Sequence, residues 1–240
     1  MPGSYHFSVD DVFAGLVEDG HPLLDFLSDF NSRHGARVDL YVFQRAAVAG
    51  ALRTLDAIAP ALACRLDGLE WLRLGPHGDD YETAPHAQTP ADQRAMLARI
   101  FRTLDRAAPA SGRARWVRLH YFSECFELAP ELRAHGVDAL LTTDKPVGSY
   151  RLPEPCRLGL LRAGRTEHAG LGFVRSHLRL ENLAREAPPP GEVERRLDKI
   201  LTAHGTVVIF THEIDLMDER TRAMADRCFS HLRRVGVRPL

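Results

Sequence analysis

This chain has little of what marks the specialised protein classes. It contains only four cysteines, Cys64, Cys125, Cys156 and Cys228, widely scattered in 240 residues. They make no CxxC pair and no zinc-ribbon spacing, so neither a zinc finger nor a disulfide-dense scaffold is expected. A reduced, intracellular chain fits them best. No apolar run is long enough to span a bilayer. The N-terminus lacks the basic-then-apolar pattern of a signal peptide. The expected location is therefore cytoplasmic, in isolation or at a membrane-bound machine. Net charge is almost absent, at -1, and nothing suggests a general nucleic-acid binder. There is no internal repeat, and Pro188-Pro189-Pro190 is too short for a domain linker.

What remains is an ordinary globular composition, 45% hydrophobic and 26% charged, in a chain long enough for one large α/β domain. Strand-like stretches fall at 5–9, 37–43, 69–74, 116–120, 137–141, 172–180 and 206–210. Helical spacing of apolar residues covers 22–34, 46–63, 126–135, 192–204 and 218–235. A further helix starts at Thr89, with Thr89 as N-cap and Pro90 in the first position. Gly35, Gly136 and Gly205 read as C-terminal stops. Residues 145–149 read as loop, and 150–161 as extended. Strands alternating with helices argue for a largely parallel sheet in one domain, residues 1–240.

Polar residues gather at the strand ends. Asp10-Asp11 follow the first strand, His77 the third, and Asp144 the fifth. His120 ends the fourth, Glu181 lies near the end of the sixth, and His212 follows the last. In a closed parallel barrel these ends converge on one rim, where such folds place their chemistry; in an open sheet they line one edge. Each residue also has a plainer reading. An Asp pair can cap a helix or a turn, and His120 can be a satisfied core histidine. Arg118 can be a buried ion-pair partner, and Glu181 can pair with an arginine.

In this order the residues resemble the polysaccharide deacetylases of the NodB-homology group, and within it the divergent WbmS-like branch. Ser8-Val9-Asp10-Asp11 is similar to that family's Thr-Phe-Asp-Asp motif. Leu74-Gly75-Pro76-His77-Gly78 resembles the start of its His-(Ser/Thr)-x-x-His motif. Val117-Arg118-Leu119-His120-Tyr121 resembles Arg-x-Pro-Tyr, and Phe210-Thr211-His212 the terminal Leu-x-x-His. The resemblance spans nearly the whole chain. It implies a distorted parallel (β/α) barrel of about seven strands and metal-assisted removal of an acetyl group from an N-acetylated sugar of a bacterial surface polysaccharide or its precursor.

Carried over, Asp11 and His77 would bind a divalent metal, zinc first, with nickel, cobalt or manganese as alternatives. Asp10 would be the general base and His212 the general acid. Arg118 would orient Asp10, and Asp144 would orient His212. The family's second metal histidine is replaced here by Tyr81, so His86 is the expected third ligand, with Asp79, Asp80 and His120 as other candidates. His120, Tyr121 and Glu181 are expected to contact the carbohydrate. Two other functions stay open: a carbohydrate-binding or assembly module on the same barrel, and a glycoside hydrolase using Asp10 or Asp11 with Glu181.

Overall fold

The structure, a computed structural model, describes residues 3–145 and 151–240. In chain order the strands are β1 (Ser4–Val12), β2 (Val38–Phe43), β3 (Arg45–Val48), β4 (Ala51–Thr54), β5 (Leu72–Gly78) and β6 (Trp116–Val117). They continue with β7 (Ala139–Thr142), β8 (Arg165–His168), β9 (Leu171–Arg175), β10 (Leu178–Arg179), β11 (Thr206–His212) and β12 (Arg238–Pro239). One sheet runs β10-β11-β1-β2-β5 and another β6-β7-β9-β8. Apart from β8, which returns antiparallel along β9, every pairing in these two paths is parallel.

The two sheets join at both ends. A parallel bridge links Leu74 of β5 to Arg113, just ahead of β6. On the other side β9 runs on into β10 through Ser176 and His177. The Ser176 amide donates to Thr142 at the end of β7, and the His177 amide donates to Val208 of β11. Counting β9 and β10 as one run, seven parallel staves close a barrel, as the family resemblance implies. It is distorted where β6 shrinks to two residues.

Alternation along β1 shows how this sequence makes an inside and an outside. Phe7 points out to the helices, against Phe30 of the helix Leu23–His34 and Phe229 of the helix Glu219–Arg234, at ring distances of 5.8 and 4.9 Å. Tyr5 and Val9 are buried with it. His6, Ser8 and Asp10 face the interior instead, where they meet Tyr41 and Arg118. The barrel core is therefore polar near its axis and apolar under the helices.

Several local expectations hold. Gly35 ends its helix at φ 63°, a conformation glycine takes without a steric penalty. The Thr89 hydroxyl accepts the Asp92 amide at the start of the helix Pro90–Ala107. Two expectations are corrected. Residues 46–63 are not one helix: β3 and β4 form a hairpin, turned by Ala49 and Gly50 at φ 50° and 79°, and the helix covers only Leu55–Leu66. Residues 150–161 are not extended: Glu154–Ala163 is helical, with a proline in its first turn, where the missing amide hydrogen does no harm. Tyr150 and the expected loop from 146 to 149 lie outside the described residues.

His177 sits at the closure seam, where its Nδ1 accepts the Val208 amide hydrogen. Burial, with the charges of His204 and Arg175, pushes its pKa down to about 3. The unfolded chain then binds a proton between pH 6.5 and about 3 that the folded chain does not. This contribution to stability is complete above pH 6.5 and declines as pH falls through that window, by at most roughly 1.4 kcal/mol per pH unit. In urea denaturation, His177→Gln should be less stable than the parent at pH 7.5, and the gap should narrow steadily below pH 6.5.

Candidate functional site

Adjacent residues on a strand face opposite sides, yet Asp10 and Asp11 serve one site. A bulge makes this possible. The pairing of β1 with β2 slips by one residue between Val9 and Val12, and Asp11 adopts a left-handed φ of 56°. β5 does the same opposite: Val42 and Phe43 of β2 pair with Pro76 and Gly78, so His77 is the extra residue. Bulges of this kind re-aim side chains at strand ends. Here two of them turn Asp11 and His77 toward each other.

Their meeting point is a cluster of three donor atoms. His77 Nε2 lies 2.8 Å from Asp11 Oδ1. His120 Nδ1 lies 3.3 Å from the same oxygen and 3.2 Å from His77 Nε2. Each histidine uses its other nitrogen on a backbone carbonyl. His77 Nδ1 donates to Arg118 at 2.6 Å, and His120 Nε2 donates to Tyr81 at 2.9 Å. A carbonyl can only accept, so these nitrogens carry the hydrogens and the converging ones offer lone pairs. Two imidazoles with outer N–H groups anchored to carbonyls, together with one carboxylate, are the donor set of a divalent-metal site. Tetrahedral coordination at about 2.05 Å separates ligand atoms by about 3.3 Å, close to the observed spacings, so the residues fit such an ion. Burial works to raise the Asp11 pKa, but positive charge among these rings, from a proton on His120 or His77 or from His212 nearby, outweighs it and holds the carboxyl far below its usual range.

His86, expected as the third ligand, does not join this group. The Ser123 hydroxyl donates to the His120 carbonyl and accepts from His86 Nδ1 at 2.9 Å, which draws the His86 ring aside. His120, expected to touch the carbohydrate, occupies the third position instead. Asp79 and Asp80, the other candidates, pair with Arg99 and Arg45.

Asp10 is almost fully buried, and Arg118 holds it. Nη1 of Arg118 lies 2.8 and 2.9 Å from the two carboxylate oxygens. The same guanidinium donates to Ser8 and Ser176 and lies 4.0 Å from the centre of the Phe210 ring. The ladder register sets Asp10 beside His212 on β11. His212 Nδ1 donates to Glu181 at 2.7 Å, and the Thr211 hydroxyl donates to the other oxygen of Glu181. Burial opposes a charge on His212, but the Glu181 bond and the nearby charges of Asp10, Glu181 and Asp11 raise its pKa above the ordinary histidine value. Asp144, expected to orient His212, pairs with Arg179 at 3.1 Å, and Glu181, expected at the substrate, takes its place.

Glu213, which sequence reading passed over, follows His212. Its carboxylate accepts the amides of Phe13, Ala14 and Gly15 at 2.9, 3.1 and 2.5 Å, just beyond the Asp pair. A Cβ on Gly15 would stand 2.5 Å from a Glu213 oxygen, so the clamp needs glycine there. The acidic residue directly after His212 was the available signal. Its partner amides lie at the other end of the chain, so nothing local revealed the contact.

A cleft of about 670 Å³ opens over the rim, lined by Asp11, Tyr81, Arg179, Glu181, His212 and Ile214 among others. That volume is in the range of small-molecule sites. Tyr121 stands exposed at the same rim, its ring 4.2 Å from that of His120.

No protein-family model matches the chain, and no curated protein does. Solved structures do. The chain is similar to polysaccharide deacetylase domains. The catalytic domain of a peptidoglycan N-acetylglucosamine deacetylase from Eubacterium rectale superposes with a TM-score of 0.49 at 11% identity, covering 100% of this chain and 88% of that one. A polysaccharide deacetylase from Bacillus cereus gives 0.49 at 11%, covering 98% and 89%. A Bordetella bronchiseptica protein described as a polysaccharide deacetylase involved in O-antigen biosynthesis gives 0.48 at 14%, covering 98% and 84%.

The buried Arg118–Asp10 pair supplies a stability test. Removing one partner strands a charge in the interior, which typically costs about 3–5 kcal/mol, whereas an apolar pair of similar volume is often tolerated. Chemical denaturation of Arg118→Met should show a loss of about that size. The double variant Arg118→Met/Asp10→Leu should recover much of it.

Proposed function

We propose that this protein is a metal-dependent deacetylase that hydrolyses the acetamido group of an N-acetylated sugar, in a bacterial surface polysaccharide or its precursor. The observation that carries the reading is the convergence at one rim of a three-atom donor set, an arginine-held carboxylate and a carboxylate-held histidine. A divalent cation held by Asp11, His77 and His120, zinc before nickel, cobalt or manganese, would polarise the acetyl carbonyl and make water easier to deprotonate near neutral pH.

The chain's own residues supply the proton transfers. Asp10, fixed by Arg118, accepts a proton from the attacking water as its oxygen bonds to the acetyl carbon. His212 is favoured in its charged form, with Nδ1–H given to Glu181, so Nε2–H is the proton available to the sugar nitrogen as the carbon–nitrogen bond breaks. Acetate and a free amino sugar result. The glycoside hydrolase alternative finds less support: Glu181 is engaged by Thr211 and His212, and Asp10 by Arg118.

Zinc titration should show Asp11→Ala, His77→Ala and His120→Ala each losing affinity by at least about tenfold, with His86→Ala unchanged. Asp10→Asn should keep the ion and lose acetate release from N-acetylhexosamine substrates. A protein that takes up no zinc, nickel or cobalt, or that loses its ion with His86 and keeps it without His120, would sink this reading.

A general acid must start protonated, so the His212 pKa sets the alkaline limb of kcat/KM. The Glu181 bond raises that pKa. Glu181→Gln should therefore shift the alkaline limb to lower pH. A limb that stays in place would remove His212 from the role of acid.

A further inference from the structure

We propose that Tyr81 and Tyr121 form an aromatic ledge that binds a pyranose ring of a glycan next to the reacting unit. The proposal rests on the deacetylase reading for its class of ligand, an N-acetylhexosamine oligosaccharide, and adds a site to it.

Among the described residues, these are the large aromatic side chains left most open to solvent, Tyr81 at 58% and Tyr121 at 50% exposure. They flank one residue. The ring of Tyr121 lies 4.2 Å from that of His120, and the ring of Tyr81 lies 5.3 Å from it. Tyr81 also borders the cleft that holds Asp11 and His212. Both rings thus stand beside the donor cluster while their outer parts remain uncovered.

The backbone holds Tyr121 there against its own preference. Tyr121 and Phe122 have φ of 54° and 53° in succession, a left-handed conformation that side-chain-bearing residues seldom adopt and that two neighbours rarely share. Phe122 turns inward, its ring centre 5.8 Å from that of Phe210 in an edge-to-face arrangement and within 6 Å of the guanidinium groups of Arg118 and Arg179. Ser123 locks the turn through its amide and hydroxyl bonds to the His120 carbonyl. The product of this strained turn is a tyrosine directed into solvent, which adds little to the core. The turn packs Phe122 against Phe210 and in the same step leaves Tyr121 half exposed beside His120.

A pyranose matches this ledge. Its axial C–H groups form an apolar face suited to an exposed aromatic ring, and its equatorial hydroxyls suit the phenol groups, since tyrosine offers an apolar body with a polar tip. The ledge would therefore read the sugar beside the acetamido group rather than the group itself.

The test is glycan binding without metal. A panel of α- and β-linked N-acetylhexosamine oligosaccharides is titrated into the whole protein in the presence of chelator, by calorimetry. Tyr81→Ala and Tyr121→Gly should raise Kd at least tenfold for the best ligand, while Tyr81→Phe and Tyr121→Phe stay within threefold. Tyr121→Gly should keep or raise Tm, because glycine accepts the left-handed turn, so misfolding cannot explain its loss of binding. Wild-type protein that binds no member of the panel, or Tyr81→Ala and Tyr121→Gly variants that bind like wild type, would overturn the ledge. Acetate release by the zinc-loaded protein decides the deacetylase reading separately. Activity with indifferent tyrosines removes only the ledge, and tyrosine-dependent binding without activity removes only the deacetylase.

Discussion

The rim of this barrel depends on Arg118. A guanidinium this deeply buried is unstable unless its charge and its hydrogens are answered. Asp10 of β1 answers the charge, Ser8 and Ser176 take further hydrogens from two sides of the barrel, and Nε alone is left buried without a hydrogen-bond partner. The face of Phe210, on β11, covers it. One side chain thus ties three staves across a polar interior. The main chain of the same residue acts as well, since its carbonyl accepts the Nδ1 hydrogen of His77. The carboxylate proposed as base and a histidine proposed as ligand are therefore positioned by two ends of one residue. Displacing Arg118 would disturb both together.

The second constraint is the period of a strand. Strict alternation would send Asp11 to the outer face of β1, away from Asp10. The bulge at Asp11 and the matching one at His77 suspend the alternation for one residue each. A left-handed aspartate carries a modest conformational penalty. It is offset by the Glu213 clamp on the three amides that follow shortly after. Burial raises the Glu213 pKa even against those amides. Neighbouring carboxylates can share one site here because the chain around them is fastened from the opposite terminus.

Much of this was legible in the sequence, and the limit has a physical cause. The apolar strand from Thr206, the stop at Gly35 and the cap at Thr89 are signals carried by a few adjacent residues, and they appear as read. The clustering of polar groups at strand ends is almost as local, and Asp10, Asp11, His77, Arg118, His120, Glu181 and His212 do come together. Partner choice among them is not local. His86 and His120 were both open as a third ligand, and the hydroxyl of Ser123 separates them. Asp144 and Glu181 both lie near strand ends, and Arg179 draws one away while His212 keeps the other. The alanine-rich stretch after Gln44 misled for a different reason. Alanine has the highest helix propensity, but propensity yields to context, and here the left-handed Ala49-Gly50 turn together with the exit from β2 overrides it.

Three histidines at the rim share one side chain, and what the far nitrogen of each meets suits them to the different tasks proposed. His77 and His120 each give an N–H to a backbone carbonyl, a neutral acceptor that fixes the tautomer and leaves a lone pair turned inward. A nitrogen so arranged suits a cation and has no proton to give. His212 gives its N–H to the carboxylate of Glu181, and the negative charge favours the doubly protonated ring. A ring so arranged has a proton to donate and no lone pair to bind a metal. The division does not come from the histidines, nor from their places at the ends of β5, β6 and β11. It comes from the acceptor behind each ring: an irregular backbone segment in two cases, a buried glutamate in the third. In the proposed reading His120 takes the third position where His86 was expected, and the Tyr81 carbonyl behind its ring is what suits it to that place.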